Sequence, residues 1–151
     1  MKILDNLLQR VQNVNEGLEG GRFFSDIIQD AEAEIVEMNT EDQLFSKGID
    51  SEGIEIMRYA PYSELTKEIK EQKGQPYDRV TLRDTGDFHY SFEVEADSNK
   101  MVIIATDEKT EDLLDRYGED IIGLTDENLQ TFRDETLLPK LMETIKQTLS
   151  A

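Results

Sequence analysis

The sequence predicts a mixed α/β domain, and three observations carry that expectation. Residues 2–16 and 23–44 place apolar side chains three and four apart, as amphipathic helices do. Residues 89–96 alternate apolar and polar, and 101–105 follow as a short apolar run across a turn-rich tetrapeptide, which is the pattern of paired strands. Residues 125–149 then return to helical spacing. At 151 residues the chain is long enough to bury one core without cross-links.

Taken in order, Ile3, Leu4, Leu7, Leu8, Val11 and Val14 define the first helix, and Gly17, Gly20 and Gly21 are expected to end it. A second helix over 23–44 sets Phe24, Ile27, Ile28, Ala31, Ile35 and Met38 on one face and acids on the other. The glycines between these helices permit either a hairpin or one long kinked helix. Residues 46–53 read as a turn-rich connection, and 53–56 alternate like a short strand. Ser63 is placed to cap a helix that ends before Gly74, and Gln75-Pro76 extends the chain again.

Residues 89–96 are expected to form a strand with Tyr90, Phe92, Val94 and Ala96 on one face. Residues 97–100 have hairpin composition, and 101–105 return as a more fully buried strand. Thr106 is placed to cap a helix running to Tyr117 and stopped by Gly118. Thr125 opens the last helix, with Leu129, Phe132, Leu137, Leu141, Ile145 and Leu149 inward. Pro139 falls inside it and predicts a kink or break.

The absence of cysteine removes disulfides, thiolate metal sites and cysteine nucleophiles. The first residues, with Asp5 early, do not read as a secretory signal, and no apolar run approaches the roughly 18 residues of a membrane helix. A soluble protein with no membrane partner is expected. The formal net charge is −18. Residues 1–45 carry 3 basic and 10 acidic side chains, residues 91–151 carry 6 and 15, and residues 46–90 are near neutral with 7 and 9. Duplex nucleic acid would be repelled, whereas a basic protein would be steered in.

No constellation points to catalysis. Asp87, His89 and Ser91 have the residue types of a nucleophilic triad, but on a strand they would stand roughly 6–7 Å apart, too far for a relay. The acids from Asp107 to Asp120 lack calcium-loop spacing and read as a solvated helix face. No glycine pattern forms a phosphate loop. No catalytic, cofactor-binding or metal residue is expected.

One segment carries a resemblance. Tyr62, Leu65-Thr66, Lys70 and Gly74, then Val80-Thr81-Leu82-Arg83-Asp84-Thr85-Gly86-Asp87-Phe88 and Ser91, resemble the core of the virion-morphogenesis and tail-completion proteins of tailed bacteriophages. In that family a helix patterned pL…T…K leads into an L..TG.L..S element. A strand and a YG segment follow, matched here by Tyr117-Gly118. Leu137-Leu138-Pro139 is similar to the family's closing segment, and the likeness covers roughly residues 54–145. The sequence departs from the pattern at Phe88, where the family has leucine, and in an acidic insertion between Gly118 and Leu129. The N-terminal helices have no counterpart.

The resemblance implies an α+β fold, with a small, mainly antiparallel sheet packed on a long helix and N-terminal helices added. Residues 1–45 would be a helical arm or hairpin and 46–151 the tail-completion-like domain. It implies a non-enzymatic subunit of a head–tail connector ring in the virion neck, assembled in the host cytoplasm. Its partners would be copies of itself and the portal, neck or tail proteins. The motif residues it singles out are Leu82, Thr85, Gly86, Phe88, Ser91, Tyr117 and Gly118. Two other readings stand beside it. One is an acidic adaptor or regulatory domain that binds a basic protein as a nucleic-acid mimic would. The other is a small hydrolase using scattered carboxylates, such as Asp84, with His89.

Overall fold

A computed structural model describes all residues, Met1–Ala151. The chain is α+β: helices at both ends flank one two-stranded antiparallel sheet. Its N-terminal helix α1 spans Lys2–Glu19 and runs through Gly17, contrary to the expected stop there. The reason is packing, because a Cβ at Gly17 would collide with the Phe23 ring. The chain turns at Gly20 and Gly21 instead, and Gly21 is left-handed with φ 73°.

The predicted helix over 23–44 is three segments: α2 (Arg22–Asp30), α3 (Glu32–Glu37) and a π-helical stretch Met38–Lys47. Ile28, Ala31 and Ile35 are buried along one face of this run and meet Val94, Leu124 and Phe132. Each of the two isoleucine side chains contributes about 1.5–3 kcal/mol by leaving water. Gly48, at φ 62°, ends the run.

Residues 53–56 are not a strand. Asp50 is buried, and its Oδ1 accepts from the amides of Glu52 and Ile54 at 3.0 Å each. That turn leaves a single bridge, Ile49 to Glu55, before the one-turn helix α4 (Ile56–Tyr59). Helix α5 (Glu64–Gln72) starts as expected, with Ser63 Oγ accepting from the Thr66 amide at 3.1 Å.

The strand expected over 89–96 starts three residues late, because its first two residues are helical. Gly86 opens a one-turn helix α6 (Asp87–Tyr90), and β1 begins only at Phe92 and runs to Ala96. Tyr90 is therefore not on the inner face but 82% exposed. Strand β2 (Met101–Ala105) pairs antiparallel with β1, Phe92 opposite Ala105 and Ala96 opposite Met101. It is only half-buried, with Val102 exposed, because the two-stranded sheet has no third strand to cover it. The sheet packs on α2 and α3, and the Val94 amide donates to Glu32 Oε2 at 2.8 Å.

Helix α7 (Thr110–Tyr117) begins later than the proposed Thr106 cap, since Thr106 Oγ1 instead donates to the Ser91 carbonyl at 3.2 Å. A 3₁₀ turn, Glu119–Ile121, follows. Thr125 caps α8 (Asp126–Phe132), its Oγ1 accepting from the Asn128 amide at 3.1 Å. A π-helical turn, Arg133–Leu137, then leads into α9 (Leu138–Ser150). Pro139 sits in the first turn of α9, and the wider turn before it accommodates the ring that would clash in a continuous α-helix. Phe132 is buried in this terminal run, but Leu129 is 40% and Leu149 38% exposed, so the expected inward row is incomplete. Helix α1 packs on α2 and α9, which brings the two acidic ends of the chain together.

Candidate functional site

The second core holds Leu44, Ile56, Tyr62, Val80, Phe88, Phe92, Tyr117 and Ile121. Phe88 and Phe92 meet edge to face with centroids 5.0 Å apart. Above this core lies an open cleft of about 280 Å³, lined by α5, the segment 82–88 and α7. Five of the seven motif residues line it: Leu82, Thr85, Gly86, Phe88 and Tyr117. Tyr62, Thr66 and Lys70 join them from the preceding element.

The remaining two motif residues lie outside the cavity and shape its neighbours. Ser91 Oγ donates to the Phe88 carbonyl at 2.8 Å and accepts from the Thr106 amide at 3.2 Å, tying α6 to the end of β2. Gly118 closes α7 with φ 91°, its amide donating to the Leu114 carbonyl at 2.8 Å.

The turn into α6 is conformationally special. Gly86 has φ 94°, which glycine adopts freely and a β-branched residue does not. Leu82 has φ 55°, the one non-glycine residue in the left-handed region. That conformation costs about 1–2 kcal/mol and is held here by its surroundings. Tyr62 contributes to the frame, its hydroxyl accepting from the Thr81 amide at 3.1 Å. Burial raises the Tyr117 phenol above its usual range.

The cavity is cationic in a strongly acidic protein. Lys70, Lys73, Arg83 and Lys109 line it, against a single acid, Asp84. Lys73 Nζ donates to Asp84 Oδ1 at 3.2 Å. That bond, followed by the one from Gln75, holds the Asp84 carboxyl below its ordinary value. Arg83 is directed elsewhere, pairing with Glu41 at 3.1 Å and stacking over Phe45 at 4.7 Å. Lys70 is only 9% exposed, with its Nζ 5.1 Å above the Tyr62 ring. The sequence does not single out this cluster, although three of its four cations, Lys70, Lys73 and Arg83, lie in the near-neutral middle third.

The other candidates do not assemble. Asp87, His89 and Ser91 form no relay: His89 Nε2 lies 2.9 Å from the Thr81 carbonyl, and Ser91 Oγ is committed to Phe88. The acids following Asp107 do not converge on a metal-binding group. No family model, curated protein or solved structure matches the chain, so function has to be read from the residues themselves.

Proposed function

We propose that this chain is a non-enzymatic structural subunit of a head–tail connector ring in the neck of a tailed-phage particle. The observation that carries the reading is the apolar face of α1. Ile3, Leu4, Leu7, Leu8 and Val11 are between 43% and 86% exposed on a helix that packs chiefly on α2 and α9. Covering such a face is worth about 25 cal/mol per Å², and patches of this kind mark surfaces for a partner. A ring subunit uses a surface like this in a head-to-tail contact that closes by rotation. Clustering of the motif residues around one cavity supports the same reading.

The acidic-adaptor reading has less behind it, because several acids of residues 22–45 are already engaged within the chain. Glu41 pairs with Arg83, Asp42 with Lys47 at 3.5 Å, and Glu34 accepts from Thr136 at 2.7 Å. A phosphate-mimicking surface needs its acids free.

Mass spectrometry of purified particles, together with negative-stain microscopy of a strain lacking the gene, tests the proposal. A few to a dozen copies per virion, and unjoined heads and tails without the gene, are expected of a neck ring. Absence from particles, or normal particles without the gene, overturns it.

A further inference from the structure

We infer that the cavity between α5, the 82–88 segment and α7 binds a small organic acid, with its carboxylate on Lys70 and its apolar body against Tyr62, Phe88 and Tyr117. Lys70 is the argument's centre. Its side chain is 9% exposed, yet it joins none of the seven ion pairs in a chain with 34 acids. The Tyr62 face 5.1 Å below its Nζ offsets only part of the lost hydration. Asp84 lies near enough for Lys70 to help hold its carboxyl below the ordinary value, but the direct contact there is made by Lys73, and an anion entering the cavity would give the Lys70 ammonium a partner of its own.

The acid already in the cavity is bonded directly to other donors. Asp84 Oδ1 receives Lys73 at 3.2 Å and Gln75 Nε2 at 3.4 Å. Lys109, on the α7 side, lines the cavity and also takes part in no ion pair. Gln75 also lines the cavity, through a side chain whose Nε2 is turned to Asp84. The chemistry the lining specifies is therefore a carboxylate joined to an apolar body.

Size and backbone agree with that ligand. About 280 Å³ lies at the small end of ligand pockets, suited to a small molecule rather than a stretch of polypeptide. Leu82 at φ 55° and Gly86 at φ 94° shape the wall between α5 and α7. The strain at Leu82 is of a kind that gathers at binding sites. The inference does not depend on the ring reading, and the failure of either leaves the other standing.

Full-length protein titrated with phenyllactate, followed by amide NMR and calorimetry, tests it. Saturable shifts at the amides of residues 82–86 are expected, with Kd at or below about 1 mM. Lys70→Met should weaken binding about tenfold or more, as loss of a charge-assisted contact does. Methyl phenyllactate, which keeps the shape without the charge, should not saturate the wild-type protein. That arm decides the matter even where the variant fails to fold. No saturation by phenyllactate overturns the inference, as does equal binding of the ester or undiminished binding by a folded Lys70→Met protein. Inorganic phosphate acting on the same amides with an equal midpoint also overturns it, because the apolar walls would then contribute nothing.

Discussion

His89 shows how far a single residue can be read. As the sole histidine on an expected strand face, it has the residue type for a catalytic role; its surroundings make it a core residue. It is 6% exposed, Nε2 lies 2.9 Å from the Thr81 carbonyl, and Nδ1 has no partner. The ring nitrogen facing that carbonyl is the donor, which leaves Nδ1 as an unpaired acceptor in a neutral ring. Burial is the largest influence on its pKa and pushes it below 6.5; the Thr81 bond and Glu41 oppose this, and Arg83 adds to it. The unfolded chain therefore binds the histidine proton more readily than the folded one. Stability is full above about pH 6.5 and is lost as the pH falls below it. Melting curves from pH 7 to pH 5 for wild type and His89→Gln isolate this contribution, since the many carboxylates are common to both. The melting temperature of wild type relative to the variant should fall towards pH 5, and a constant difference would show that His89 does not titrate differently on folding. Gly86 is a residue type that accepts φ 94° freely, whereas nothing in the residue type announces φ 55° at Leu82.

Helices with caps and clean periodicity were legible as elements: Ser63 and Thr125 cap where expected, and Gly118 stops α7. The errors arose where one residue set satisfies two periods. Phe88 and Phe92 are four apart and share a helical face, while Tyr90, Phe92 and Val94 alternate as a strand. The left-handed Gly86 decides between them by turning the chain into α6. The π-helical stretch Met38–Lys47 was invisible for a different reason, since its purpose is long-range. Asn39 Nδ2 donates to the Ile121 carbonyl at 3.2 Å and its Oδ1 accepts from the Gly123 amide at 2.8 Å. Gln43 Nε2 donates to the Gly123 carbonyl at 2.8 Å, and its Oε1 accepts from the Thr125 amide at 3.0 Å. Both side chains are fully buried, so they clamp the 121–125 loop from the helix below it. Asn39→Ala leaves a buried donor and a buried acceptor without partners and should cost about 2–4 kcal/mol in urea denaturation. A loss below about 1 kcal/mol would mean that water replaces the amide and the clamp is dispensable.

Across the whole molecule, charge and apolar surface pull in opposite directions. The two acidic thirds come together where α1 packs on α2 and α9, and the same helix α1 presents its apolar row to solvent. Copies of a chain with net charge −18 repel one another, while the α1 rows attract by leaving water. Repulsion between exposed charges is screened over about 10 Å at 0.1 M salt and about 3 Å at 1 M, but apolar attraction is not weakened by screening. Self-association, if α1 is the ring contact, must therefore rise with salt, the reverse of an assembly held by surface ion pairs. Sedimentation velocity should show larger species at about 0.5 M sodium chloride than at about 0.05 M. Leu4 and Leu8 are 50% and 55% exposed, so Leu4→Glu with Leu8→Glu should leave the melting temperature within a few degrees of wild type. The same double variant should remain monomeric at both salt concentrations, because burying two carboxylates in an apolar contact costs more than the contact returns. A wild-type protein that stays monomeric throughout, or a double variant that associates as wild type does, would remove α1 as the contact between subunits. An apolar helix face with five exposed aliphatic residues would then need a different protein to cover it.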